Sequence, residues 1–191
     1  MTKKYTDTLM TDIAAVLADN QTQQISAADV RQALLDIVDS LRPAWSALLA
    51  DHTAAAAAIN LTSSWQTLTG TGFWTASGNS AAVELEALQT AGQVDIKFGG
   101  WNHLVRGQVN FEAPANTEIQ MSIGVNGSPI GTIASVNGAG TGRVVQLADW
   151  ALTFAAAGSK IALLMRAPAG NQTIQMRQAQ MYAELTTTRY A

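Results

Sequence analysis

Two histidines, His52 and His103, and 14 acidic side chains are the material from which acid-base or metal chemistry in this chain would have to be made, because cysteine is absent. Without thiols there are no disulfides, thiolate metal sites or cysteine nucleophiles. A three-histidine metal centre cannot be assembled within one chain, and a Ser-His-Asp relay would have to recruit one of the two imidazoles. Glu84 and Glu86 stand two apart, which on a strand puts both carboxylates on one face, the arrangement from which a hydrolase or a calcium site would start. Val83 and Leu85 alternate with them, so the acids read more simply as the wet face of a half-buried strand. Glycoside hydrolysis would also need a second carboxylate held opposite across a defined gap.

The glycine clusters imitate phosphate loops without their chemistry. Gly70-Thr71-Gly72 lacks a third glycine in the right place, and Phe73-Trp74 would fill the space a pyrophosphate needs. The run from Gly138 to Gly142 lies between two predicted strands, with no Lys-Ser/Thr and no following helix to present its dipole, and reads as a hairpin loop. Trp101, Asn102 and His103 follow Gly99-Gly100 at a loop-to-strand junction. An aromatic and two polar groups exposed there would stack on a sugar ring; alternatively Trp101 anchors a sandwich edge and His103 caps a strand. Trp150, Leu152 and Phe154 alternate as an apolar face, either a seam between subunits or sandwich core. Glycosylation-type triplets beginning at Asn20, Asn60, Asn126 and Asn171 carry little meaning without an export signal. No catalytic residue, metal site or cofactor is expected.

Charge narrows the partners. Eleven basic against 14 acidic residues, net -3, provide no field to neutralise a run of phosphates, which argues against a nucleic-acid partner. Lys3 and Lys4 precede polar residues instead of a signal-peptide apolar core, and no apolar stretch approaches a membrane span. A soluble protein made in a cytoplasm, without membrane insertion, is the expectation.

The elements change character near residue 60. Leu9, Ile13, Val16 and Leu17 share a helical face, and Ser26-Ala27-Ala28-Asp29 has the form of a capping box ahead of Val30, Leu34, Ile37, Val38 and Leu41 at helical spacing, ending before Pro43. A helical hairpin over residues 1–42 follows. Trp45, Leu48, His52, Ala55 and Ile59 step by three and four, a heptad pattern that predicts a short coiled-coil neck over 43–63, or else an amphipathic helix packed on its own domain. Arg42, Ser46, Asp51 and Thr53 lie off that seam. His52 at a heptad core position reads as a neutral layer histidine.

From 64 to 191 the period becomes two. Val105, Gly107, Val109 and Phe111 alternate with polar residues, as do Ile119, Met121, Ile123 and Val125 before the hairpin dipeptide Asn126-Gly127. Asn137-Gly138 predicts a second tight turn before a strand at Arg143 to Leu147. Strands at Ile161 to Arg166 and Ile174 to Leu185, with Trp65 to Leu68, Val94 to Phe98 and Ala82 to Leu88 (a strand, or a helical turn), complete an antiparallel β-sandwich. The predicted class is α+β: helices, then a sandwich.

Two resemblances add to this. Ile25 to Leu41, ISAADVRQALLDIVDSL, resembles a segment carried near the N-termini of tailed-bacteriophage structural proteins, a capping turn and an amphipathic helix ending in Asp-Ser-Leu. The second half resembles the C1q/tumour-necrosis-factor jelly roll: Gly124-Val125-Asn126-Gly127-Ser128-Pro129 is similar to its Asn-Gly-x-Pro element, Val144 to Trp150 to its acidic-turn strand (Ala148-Asp149 standing for Gly-Asp), and Gln180 to Leu185 to its closing strand without Phe-Ser-Gly. Together they imply a homotrimeric virion structural protein, a fibre or decoration assembled in the host cytoplasm. Val30, Leu34, Ile37 and Leu41 would dock on other virion proteins, Trp45, Leu48, His52, Ala55 and Ile59 would form the trimer neck, and the knob would project toward a host surface glycan or protein, with Trp101, Asn102 and His103 as a candidate ligand site. The alternative is a C1q-like carbohydrate-binding module outside any virion.

Overall fold

The computed structural model describes residues 29–34, 45–69, 72–78, 85–97, 101–140, 143–152 and 157–189. The chain divides into two units, Met1–Pro43 and Ala44–Ala191. In the first, residues 29–34 are helical, with Val30 44% and Leu34 58% exposed. The rest of the predicted hairpin, including Ile37 and Leu41, lies outside the described residues.

The second unit contains twelve strands among its described residues: β1 Trp45–Asp51, β2 Ala57–Leu61, β3 Gln66–Thr67, β4 Thr75–Gly78, β5 Leu85–Leu88, β6 Gln93–Ile96, β7 Trp101–Glu112, β8 Glu118–Val125, β9 Ser128–Asn137, β10 Arg143–Leu152, β11 Lys160–Arg166 and β12 Gln172–Arg189. They form two antiparallel sheets. The first runs β10-β7-β12-β1-β4, with β2 also on β12; the second runs β5-β6-β11-β8-β9, with β3 on β11. From β7 onward the chain crosses β7 to β8, β9 to β10, β10 to β11 and β11 to β12 between sheets, the connectivity of a jelly roll.

The coiled-coil neck is overturned. Trp45–Asp51 is a central strand, clasped by β12 (Leu48 opposite Met181) and β4 (Leu48 opposite Ala76). β2 continues along the same flank of β12, with Ile59 opposite Ile174, so residues 45–61 act as one interrupted strand. Asp51 makes the interruption: its Oδ1 accepts from the Thr53 amide at 3.1 Å and the Thr53 hydroxyl at 2.7 Å, and these two bonds hold its carboxyl below the usual range. The three-four spacing was compatible with a helix, but on a strand period two separates Leu48 from Trp45. Two ladders outweigh what a two-heptad helix would gain by itself.

The core lies between the sheets. Leu48, Val105, Val109, Phe111 and Met181 from the first sheet meet Leu85, Val94, Ile96, Ile119, Met121, Ile161, Leu163 and Met165 from the second, each at most 1% exposed. Full burial of such a side chain contributes about 1.5–3 kcal/mol. The alternation expected for β7 is present, with 105, 107, 109 and 111 buried and 106 and 108 exposed. Asn126 (φ 52°) and Gly127 (φ 79°) close the β8–β9 hairpin, where Val125 faces Ser128; positive φ at both positions matches the twist of the flanking strands and favours this dipeptide.

The second predicted tight turn is corrected. β9 pairs with β8 and β10 with β7, so the segment after Asn137 changes sheets instead of closing a hairpin. It is tied to the β7–β8 crossing: the Gly138 amide donates to the Thr117 carbonyl at 2.8 Å, the Asn116 amide to the Gly138 carbonyl at 2.9 Å, and the Gly140 amide to the Ala113 carbonyl at 2.9 Å. Two crossings thereby satisfy each other's backbone groups at one end of the sandwich.

Candidate functional site

The residues assigned to a neck do not share a face. Leu48 is fully buried in the core and Ala55 is exposed in the loop after β1. His52 donates its amide to the Arg177 carbonyl at 2.7 Å and tilts its ring on Phe73, centroids 4.7 Å apart. Ile59 is half-buried on β2, packed against the core. Only Trp45 of the five faces outward from β1, where its ring stacks on Tyr182 at 5.8 Å.

His103 is 1% exposed and in phase with Val105 and Val109, so it lies on the core side of β7 instead of beside a bound sugar. The side chains of Trp101 and Asn102, and of Trp150 and Leu152, lie outside those described, as do residues Glu84 and Phe154. Glu86 is engaged by Lys97, which also donates to Asp95 at 2.8 Å, and the two hydrogen bonds, Asp95 first, raise the lysine above its ordinary range. Among the described residues no three His, Asp or Glu side chains come together as a metal cage requires.

What the topology does assemble is the outward face of the first sheet. Register places Leu49 of β1, Gln180 of β12 and Gln108 of β7 in one row, flanked by Thr75 of β4. Asp51, Gln178 and Asn110 make the row on one side; Ala47, Tyr182 and Arg106, with Ser77, make the row on the other. Leu49 is 42% exposed, and Gln108, Gln178 and Gln180 are exposed around a depression of about 260 Å3. Neutral amides, each both donor and acceptor, thus dominate the middle of a face four strands wide. None of these residues is conspicuous in the sequence, because the rows join positions from four separate segments. The one available signal is the exposed phase of β7 and β12, where Gln and Asn stand in place of the Lys and Glu usual on a wet strand.

Tyr182 donates to Glu184 Oε2 at 3.2 Å; burial, then the Glu184 charge, raises its phenol above the ordinary 10.0. The folded state therefore holds this proton more tightly than the unfolded chain. Its contribution to stability is complete below pH 10.0 and is lost as pH rises through the higher folded-state value. In thermal melts, Tyr182→Phe should flatten the alkaline fall in stability; an unchanged alkaline limb would count against this placement.

No protein-family model and no curated protein matches the chain. Solved structures do. The globular domain of zebrafish complement 1qA protein is 14% identical, with 78% of this chain and 100% of that one covered and a TM-score of 0.51. Eiger TNF from S. frugiperda is 14% identical over 78% and 97%, TM-score 0.50. Murine APRIL at pH 5.0 is 11% identical over 75% and 99%, TM-score 0.51. At such identities the likeness is one of fold, and the fold of the second unit is the antiparallel jelly roll of the C1q/tumour-necrosis-factor type.

Proposed function

We propose that the chain is a non-enzymatic attachment protein of a tailed-bacteriophage particle, three copies of the jelly roll forming a knob directed at the host surface and the N-terminal unit docking on other virion proteins. The observation that supports the assembly is the outward face of β4-β1-β12-β7. It leaves Leu49 and the Trp45–Tyr182 stack beside water, with amides in place of repelling charges at its middle. A second copy would cover the apolar side chains and pair the amides. Jelly rolls of the C1q/tumour-necrosis-factor type associate about a three-fold axis, and a closed ring is the way a head-to-tail contact avoids open-ended growth. The docking role rests on the Ile25 to Leu41 resemblance and on exposed Val30 and Leu34 in the helical turn.

Sedimentation of the full chain at micromolar concentration is expected to give the mass of three copies. A stable monomer would overturn the assembly. An electron-microscopy map of the particle should place the chain at an appendage, and its absence from the particle would overturn the virion role.

A further inference from the structure

The outward face of the second sheet carries one row whose members hold each other. Met165 of β11 faces Gln66 of β3, and Arg166 faces Gln120 of β8; one more step of the first register sets Trp65 opposite Arg166. The Arg166 guanidinium carbon lies 4.6 Å from the Trp65 ring centroid, and its Nε donates to Gln120 Oε1 at 2.8 Å. The same amide donates through Nε2 to Glu118 Oε1 at 2.8 Å, and that oxygen also accepts from Ser135 Oγ at 2.7 Å. These two hydrogen bonds, Ser135 first, hold the Glu118 carboxyl below its ordinary range.

The row leaves particular groups unused. Arg166 spends Nε and one face of its plane, so among the described residues its two Nη groups have no acceptor. Both bonds to Glu118 fall on Oε1, leaving Oε2 open. A guanidinium already fixed by a ring and an amide binds a carboxylate bidentately without ordering a free side chain first. The neighbouring Glu118 charge disfavours a bare anion, but its open oxygen suits a hydroxyl donor. Half-buried Trp65 supplies an apolar ring beside Arg166.

We propose that Trp65, Arg166, Gln120 and Glu118 form a binding site for a carboxylate-bearing sugar, such as the uronic acid of an acidic glycan: the carboxylate on Arg166 Nη1 and Nη2, a ring hydroxyl on Glu118 Oε2, and the apolar edge of the sugar on Trp65. This deepens the reading of the knob as a recognition domain. The site is on the sheet opposite the face assigned to self-contact, so assembly leaves it open.

Titration of the full chain with glucuronate, glucose and acetate, followed by tryptophan fluorescence and NMR, tests it. Saturable glucuronate binding, at least about tenfold tighter than either glucose or acetate, is expected. Arg166→Ala should abolish it, Arg166→Lys should weaken it about tenfold by removing the planar fork, Trp65→Ala should weaken it, and Arg177→Ala on the other sheet should leave it unchanged. Failure to saturate, equal binding of glucose, equal binding of acetate (a plain carboxylate site, as a protein side chain would use), or undiminished binding in Arg166→Lys would each overturn the proposal. The three-probe comparison uses the unmutated protein and stands whether or not Arg166→Ala folds. A trimer that ignores glucuronate would sink this site alone, whereas a monomer that binds it would sink the assembly and spare the site.

Discussion

Leu48→Asp should leave no folded protein, whereas the same change at its neighbour Leu49 should leave the fold intact and abolish self-association. Leu48 is fully buried, between Met181 and Ala76, on the core side of β1. The substitution removes about 1.5–3 kcal/mol of burial and places a carboxylate within the apolar core cluster, at a further several kcal/mol. Set against a total stability of about 5–15 kcal/mol, that is sufficient to unfold the domain. Leu49 points the other way and is 42% exposed, so an aspartate there stays hydrated in the isolated subunit. In the assembly it would bring one carboxylate per copy onto a surface losing its water. Circular dichroism should show Leu49→Asp melting within a few degrees of the parent, and sedimentation should give a single-copy mass. A folded Leu48→Asp beside an unfolded Leu49→Asp would invert the phase of β1 and, with it, the face assigned to assembly.

Gly92→Ala, a methyl in place of a single hydrogen, is expected to be strongly destabilising. Gly92 has φ 62° and its amide donates to the Gln89 carbonyl at 3.2 Å, closing the turn between β5 and β6. A Cβ there would overlap the Leu68 carbonyl oxygen and lie 2.7 Å from Trp74 Nε1. Those two atoms are themselves hydrogen-bonded, the indole donating at 2.7 Å within the core. The methyl therefore imposes strained backbone, of order 1 kcal/mol, and separates a buried pair whose loss costs about 1–3 kcal/mol. The melting temperature should fall by roughly ten degrees, at about 2–4 °C per kcal/mol for a domain of this size. In a Trp74→Phe background, where the donor is already gone, the same change should cost less, because the two substitutions act on one contact. Strict additivity would show that the turn is damaged by strain alone.

How far this architecture could be read from residues alone depended on whether the deciding interaction was local. The alternation from Val105 to Phe111 and the Asn126-Gly127 turn were legible because side-chain period and positive φ are properties of the segment itself. Residues 45–61 were not: WSALLAD suits a helix by spacing, and it is a strand because β12 and β4 present unpaired backbone on both sides of it. The same holds for β12, where the irregularity between Met176 and Gln178 shifts the inward residues from 174 and 176 to 179, 181 and 183, a change of phase no uniform pattern predicts. Asn137-Gly138 carried a hairpin signal, yet the bonds it makes are to Thr117 and Asn116 in another crossing. Composition and local pattern thus determined that the chain has a β-sandwich with wet and dry strand faces. Tertiary structure alone decided which outward residues stand together, Leu49 with Gln180 and Gln108, and Trp65 with Arg166, because a row across a sheet is set by long-range register, and register is chosen by the energy of burying all the inward faces at once.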